Sequence, residues 1–211
     1  MKAHTSETQA TISPEKALEF LKEGNKRFVG NLKVNRNLLE QVNDTRQGQW
    51  PFAVILSCID SRTSAELIFD QGLGDIFSIR IAGNFVNQDI LGSMEFGCNV
   101  AGSKLVVVLG HSKCGALKGG LDAPKIEGLG MDNLNHLIYH FQPCIDKIIK
   151  EGEERSSTNE DLLERLNICN IEKTMDDIRH QSSTLRTLEE EGKIKIVGAN
   201  YCVESGEVTW L

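Results

Sequence analysis

The chain has 211 residues, of which 40% are hydrophobic and 25% are charged, and its net charge at pH 7 is -7. The composition is typical of a soluble globular protein, and the negative charge argues against a nucleic-acid partner. No apolar run approaches the roughly 18 residues that span a bilayer, so a membrane partner is excluded too.

The N-terminus is polar and lacks the apolar core of a signal peptide. We therefore expect a cytoplasmic protein, or a periplasmic one if a signal peptide has been removed. Residues 1–12 are expected to be loose. Ser13-Pro14-Glu15 combines an N-cap, a first-turn proline and an acid, which predicts a helix over 14–29. A shorter helix is predicted over 36–46.

Strands and helices then alternate along the chain. Strands are predicted at 52–57, 76–81, 104–109, 193–203 and 206–211. Helices are predicted at 63–70, 88–101, 114–121, 132–150 and 159–191. This alternation predicts an α/β fold: a mostly parallel central sheet of four strands, plus an antiparallel C-terminal edge strand, flanked by helices. We treat 1–211 as a single domain with an N-terminal helical arm over 13–46.

Six cysteines occur, and in a chain of this size metal binding or catalysis explains them better than disulfides. Cys58 follows the first predicted strand, and His111 and Cys114 follow the third. Taken singly, each of these residues is more often a packing or turn residue. If the two strands are neighbours, however, the three side chains meet at the carboxyl edge of the sheet. Two cysteines and a histidine with one open position are the pattern of catalytic zinc.

The glycine-rich stretches do not indicate a nucleotide site. The segment after His111 lacks the Gly-Lys-Ser/Thr of a phosphate-binding loop, and the pair Gly72 and Gly74 lacks the third glycine of a dinucleotide-binding loop. These glycines are better explained by turns and close packing.

Three separated motifs together resemble the β-class carbonic anhydrase family: CIDSR at 58–62, RIAGN at 80–84 and GHSKCG at 110–115. The resemblance extends over about 13–210. It implies reversible hydration of carbon dioxide to bicarbonate and a proton, and it implies a zinc ion (Zn²⁺) as cofactor.

The resemblance makes Cys58, His111 and Cys114 the zinc ligands. It makes Asp60 and Arg62 a catalytic pair, in which the arginine holds the carboxylate off the metal and the carboxylate orients a zinc-bound hydroxide. Asp60 is the alternative fourth ligand. Two thiolates neutralise Zn²⁺, so the metal should acidify water less than three histidines would, and activity should favour neutral to alkaline pH.

The resemblance also implies a pocket for carbon dioxide and bicarbonate. Its residues would be Gln49, Phe77, Ala82, Phe96 and Gly115. Phe96 stands where many members have a tyrosine. Phenylalanines such as Phe77 and Phe96 are more often ordinary core aromatics than pocket residues. Ile55 stands where a bicarbonate-regulated subgroup has a tryptophan, so the resemblance is to the plant-like, unregulated subtype.

Three alternative functions stay open. The same site would suit a hydrolase of carbonyl sulfide or carbon disulfide. A catalytically silent zinc-binding protein is a second alternative, which loss of Asp60 or Arg62 would favour, but both residues are present. The protein would be a cysteine hydrolase if Cys58 or Cys114 reacted with help from His111.

The resemblance further implies a homodimer at minimum, and a homotetramer as the expected assembly. In such a dimer the arm 13–46 lies over a neighbouring subunit, and Gln49 and Phe77 serve the partner's site. The alternative is that the arm packs on its own sheet. The last strand, ending at Trp210-Leu211, is the candidate edge for tetramer formation.

Overall fold

A computed structural model of the chain describes residues 3–123 and 130–211, built around one five-stranded sheet. The strands are β1 (Ala53–Ser57), β2 (Ile76–Arg80), β3 (Leu105–His111), β4 (Lys195–Tyr201) and β5 (Val208–Trp210). Their order is β2-β1-β3-β4-β5; the first four are parallel, and β5 pairs antiparallel with β4. The predicted fold class is confirmed.

Helices cover both faces of this sheet. In chain order they are α1 (Ser6–Ala10), α2 (Pro14–Val29), α3 (Leu38–Thr45), α4 (Ala65–Ile68), α5 (Gln88–Glu95), α6 (Gly115–Leu121), α7 (Asp132–Tyr139), α8 (Gln142–Ile148), α9 (Glu160–Gln181) and α10 (Ser183–Glu190). A π-helical turn over Phe96–Val100 extends α5. None of the described helices is long and apolar enough to cross a membrane.

The two central strands are buried along their whole length, which explains their unbroken apolar sequences. On one face, Leu21 of α2 and Ile68 of α4 pack against Ile55 of β1. On the other face, Met94 of α5 and Ile171 of α9 pack against the same two strands. The carboxyl ends of β1 and β3 therefore meet inside a layered core.

Two long predicted helices are each divided in the structure. The helix predicted at 132–150 is α7 followed by α8, and Pro143 lies in the first turn of α8, where proline starts a helix rather than continuing one. The helix predicted at 159–191 is α9 followed by α10. Ser182 between them is extended, and its hydroxyl caps α10 by accepting the Leu185 N–H.

The N-terminal segment is more ordered than the sequence suggested. Residues 1–12 were expected to be loose. Residues 1 and 2 lie outside the described residues, but α1 forms within 3–12, with Thr5 and Thr8 in a reciprocal capping box. The side chain of Gln9 is buried and donates hydrogen bonds to the carbonyls of Pro51 (2.7 Å) and Ala101 (2.8 Å). These long-range contacts hold α1 against the core.

The N-terminal arm divides into two parts. Leu21 of α2 is fully buried against the chain's own sheet, so α2 does not need a neighbouring subunit to cover this face. In contrast, α3 exposes Leu38 (54%), Leu39 (77%) and Val42 (50%). Most of the large apolar side chains that the arm leaves exposed therefore belong to α3; the others are Val29 (43%) and Leu32 (72%).

Asp70 ties the segment between α2 and α3 to the core. Its carboxylate is 3% exposed and accepts hydrogen bonds from Arg27 (2.6 Å), Arg36 (2.5 Å) and the Val34 N–H (3.2 Å). Burial opposes ionisation, but these donors outweigh it and hold the pKa of Asp70 below its usual value.

Asp70→Asn is expected to lower the free energy of unfolding by about 3 kcal/mol near pH 7, because it leaves buried arginine without its charge partner. Because folding lowers the pKa of Asp70, the ionised carboxylate stabilises the fold at every pH above its pKa in the unfolded chain, about 3.9. This stabilisation is lost as the pH falls through the pKa of Asp70 in the folded protein. In urea unfolding, the difference in the free energy of unfolding between Asp70→Asn and the wild-type protein should therefore become smaller at acid pH. A pH-independent difference would contradict this account. Asp75→Asn is the control. Asp75 is also buried, and its side chain accepts a hydrogen bond from the Gly72 N–H, so its replacement should lower the free energy of unfolding by less.

Candidate metal centre

Three metal-binding side chains converge at the carboxyl edge of the sheet. Cys58 follows β1, His111 is the last residue of β3, and Cys114 is the N-cap of α6. The two strands are parallel neighbours, with Ser57 in register with Leu109. This is the position where the strand order reverses, at which open α/β sheets bind their ligands.

The three side chains form a buried cluster. The two sulfurs and a ring nitrogen of His111 all lie within 4.8 Å of one another. Two sulfurs bound to one tetrahedral zinc at about 2.3 Å would lie about 3.8 Å apart, so the cluster has the size that zinc requires. The convergence predicted from the strand order is confirmed.

The hydrogen bonding of His111 prepares one nitrogen for a metal. Its Nδ1 lies 2.9 Å from the Ser112 carbonyl, and because a carbonyl can only accept, Nδ1 carries the proton. The buried Nε2 then has a free lone pair, and it has no hydrogen-bond partner among the described residues. A metal ion would satisfy this nitrogen, and a backbone carbonyl on the other nitrogen is the usual support of a metal-binding histidine.

The sulfur environment favours a thiolate at Cys58. The Cys114 thiol contributes most, and His111 and the backbone N–H groups of Gly83 and Asp60 add to its effect. Together they outweigh burial and lower the pKa of Cys58 to about 4. The same contact and burial raise the pKa of Cys114. This donor set fits zinc, because soft thiolates and imidazole select it over magnesium or calcium.

Asp60 and Arg62 form a two-pronged ion pair beside the cluster. The arginine donates from Nε to Oδ1 (2.9 Å) and from Nη2 to Oδ2 (2.7 Å), and its backbone N–H also donates to Oδ1 (2.9 Å). These contacts with Arg62 lower the pKa of Asp60 below its usual range, so the group is a carboxylate. Asp60 lies outside the cluster of three metal-binding side chains, so in this conformation the arginine holds it.

The loop between Cys58 and Arg62 has two further supports that the sequence analysis did not identify. Arg80 donates to the carbonyls of Cys58 (3.0 Å) and Asp60 (2.6 Å). The Thr63 hydroxyl also donates to one or other of these carbonyls, at 3.0 and 2.9 Å. No local sequence signal identifies the Arg80 contact, because it depends on the register that pairs Arg80, at the end of β2, with Ser57 at the end of β1.

Only two of the five expected pocket residues lie beside the cluster. Ala82 precedes Gly83, whose N–H donates to the Cys58 sulfur, and Gly115 follows Cys114 at the start of α6. Space is open around Gly115, where an added Cβ would have no neighbour within 4 Å.

The other three expected pocket residues are remote from the cluster of the same chain. Gln49 is exposed ahead of β1, at the amino end of the sheet, about 17 Å of strand away from Cys58. Phe77 is the second residue of β2 and packs on Phe96, with ring centroids 6.2 Å apart. Phe96 itself is 55% exposed.

Comparisons with known proteins agree on one family. Residues 53–208 match the sequence model described as carbonic anhydrase. The chain is 33% identical to carbonic anhydrase 2 of Mycobacterium tuberculosis, covering 92% of this chain and 91% of the relative. It is 32% identical to a carbonic anhydrase of Mycolicibacterium smegmatis, with coverages of 93% and 92%. The solved β-carbonic anhydrase CcaA superposes with a TM-score of 0.71 at 26% identity, covering 92% of this chain and 94% of that one.

Proposed function

The chain belongs to the β-class carbonic anhydrase family. We propose that it hydrates carbon dioxide reversibly to bicarbonate and a proton. Cys58, His111 and Cys114 hold one zinc ion. Asp60 orients the attacking water, and Arg62 holds Asp60 in place. The observation that carries the proposal is the buried cluster of two sulfurs and an imidazole next to a fully formed carboxylate–guanidinium pair.

The zinc ion, when bound, acidifies a water molecule and so makes it a nucleophile near neutral pH. Asp60 accepts a hydrogen bond from the attacking water and so aims its lone pair at carbon dioxide. Arg62 fixes both carboxylate oxygens, which keeps Asp60 ionised and pointed away from the metal ligands. All three ligand side chains are buried, which limits the number of water molecules that can reach them.

Zinc content and thiol reactivity separate this function from the alternatives. We expect one zinc per chain by elemental analysis, together with hydration of carbon dioxide. One zinc per chain without hydration would leave a silent zinc-binding protein. Rapid alkylation of Cys58 or Cys114 in the zinc-loaded protein would indicate a cysteine hydrolase, since a metal-bound thiolate is protected. A comparison of carbonyl sulfide and carbon dioxide as substrates decides between the two hydrating activities.

Hydration is expected to rise with pH, without cooperative inactivation by bicarbonate. The rate should rise because the attacking water must lose a proton. Two thiolates leave little net positive charge on the metal to lower the pKa of this water, so deprotonation requires a higher pH. Ile55 is fully buried in the core, where the larger tryptophan of the regulated subgroup would need space that is already filled. Rates measured from pH 6 to 9, with and without bicarbonate, test this point. A steep bicarbonate-dependent loss near neutral pH would contradict the unregulated subtype.

We further propose a homodimer, and a homotetramer as the complete assembly, in a cytoplasm where the six free cysteines remain reduced. The support is twofold. The apolar side chains of α3, namely Leu38, Leu39 and Val42, are uncovered in one chain. Gln49 and Phe77 are also remote from their own chain's cluster, so they can line a pocket only beside a second chain's zinc.

Light scattering is expected to give a particle of two or four chains. Leu39→Glu, which puts a charge on the open face of α3, should shift the protein towards monomers and lower activity, because the pocket would lose its partner residues. Glu40→Lys changes the charge of an exposed neighbour on the same helix and should preserve assembly. A fully active monomer of about 23.4 kDa would contradict the shared pocket.

A further inference from the structure

The Gly83 backbone contacts a proposed zinc ligand directly. Gly83 has a φ of +80° and is the third residue of a turn closed by the Asn84 N–H and the Ile81 carbonyl (3.0 Å), the geometry of a type II turn. Its N–H donates to the Cys58 sulfur over 3.4 Å. A side chain is excluded here, because an added Cβ would lie 2.3 Å from the Phe141 ring.

A buried asparagine holds the other side of the same glycine. Asn170 of α9 is 2% exposed, and its Nδ2 donates to the Gly83 carbonyl at 2.9 Å. Gly83 is therefore fixed at its N–H by the Cys58 sulfur and at its carbonyl by Asn170. The two residues are 87 positions apart, so this contact exists only in the folded protein.

The turn needs such an external support. Asn84, which follows Gly83, has a φ of +41°, in the left-handed region that few residues other than glycine and asparagine adopt. It is fully buried, and neither atom of its side-chain amide has a hydrogen-bond partner among the described residues. The side chain of Asn84 therefore does not fix the orientation of the turn.

We propose that Asn170 is a positioning residue for catalysis, acting through the Gly83 peptide on the Cys58 sulfur. The inference rests on the proposed zinc site. A hydrogen bond to a thiolate reduces the charge that the sulfur gives to a metal, and groups that orient ligands tune metal affinity and water acidity. By keeping this hydrogen bond in place, Asn170 would offset part of the negative charge that two thiolates give to the metal.

Loss of Asn170 would remove the donor from a buried carbonyl and release the turn. A type II turn can then relax to type I, which differs by rotation of its central peptide. In that form the Ala82 carbonyl, rather than the Gly83 N–H, faces the Cys58 sulfur. An attractive contact would become a repulsive one, without any change in the ligands themselves.

The test compares Asn170→Ala with Asn167→Ala. Asn167 lies one turn earlier on α9, is 1% exposed, and donates to Asn200 (2.9 Å) rather than to the Gly83 turn. In Asn170→Ala we expect the zinc dissociation constant to rise about tenfold and the pH midpoint of hydration to move upward. In Asn167→Ala both should stay near wild type, although both variants lose some thermal stability.

Unchanged affinity and pH midpoint in Asn170→Ala would overturn the inference, as would equal shifts in the two variants. Zinc affinity is measured by competition with a chelator and does not depend on activity. A protein that binds zinc without hydrating carbon dioxide would refute the proposed function, but its zinc affinity would still show whether Asn170 supports the metal site. Hydrogen exchange at the Gly83 amide of the wild-type protein covers the case in which Asn170→Ala does not fold. Slow exchange is expected, and exchange as fast as that of an exposed loop would overturn the proposal.

Discussion

Replacing Arg62 with alanine is expected to lower the rate of carbon dioxide hydration by about a hundredfold or more, while the zinc stays bound. The guanidinium makes both side-chain hydrogen bonds that hold the Asp60 carboxylate in place. Without them Asp60 is free to turn towards the metal as a fourth ligand and occupy the position that water needs. Arg62→Lys should also be impaired, because an ammonium cannot reproduce the planar two-pronged contact.

A double-mutant cycle shows whether Arg62 acts through Asp60. Asp60→Asn alone should be slow, because the neutral amide neither holds the water in the same way nor binds the metal as a charge. In that background, Arg62→Ala should cost little more, since no carboxylate remains to be restrained. If the arginine substitution costs as much in the Asp60→Asn background as in the wild-type protein, the guanidinium has a separate role. A near-normal rate in Arg62→Ala would refute the pairing mechanism.

Cys58→Ser is expected to abolish stable zinc binding, and with it activity. A serine hydroxyl stays protonated at neutral pH and is a poor zinc ligand. The loss should exceed the roughly 10–100-fold effect of altering a residue that only supports a ligand. Elemental analysis after dialysis against a chelator measures the result.

Cys98→Ser is the matched control for that experiment. Cys98 is 6% exposed in the π-helical turn, packs with Leu56 in the core, and lies outside the metal-binding cluster. Burial raises the pKa of this thiol to about 12, so it is an inert neutral group. The control should lose some stability and retain zinc. One tightly bound zinc per chain in Cys58→Ser would remove that cysteine from the ligand set.

The parts of the fold that the sequence predicted depend on local patterns. Continuous apolar runs identified the buried strands β1 and β3, and parallel pairing then placed Cys58 and His111 at the same edge. The divided helices were missed because helical periodicity continues through a single break, and only a cap such as Ser182 or a proline such as Pro143 shows where the axis changes.

The supports of the site could not be predicted from local pattern. The Asn170 amide reaches the Gly83 carbonyl across 87 residues, and Arg80 reaches the Cys58 carbonyl from the neighbouring strand. Such contacts depend on the registers and helix positions of the finished fold. Local pattern also says nothing of a role for Gln49 and Phe77, which lie away from Cys58; only the family resemblance implied that they serve a second chain.

The most direct test of the whole account is a stopped-flow measurement of carbon dioxide hydration on the purified protein with its zinc content known. With one zinc per chain, we predict hydration well above the buffer rate, lost when the zinc is removed and restored when it is returned. Protein that holds one zinc per chain, is correctly folded and assembled, and still hydrates carbon dioxide no faster than buffer would contradict the proposed function.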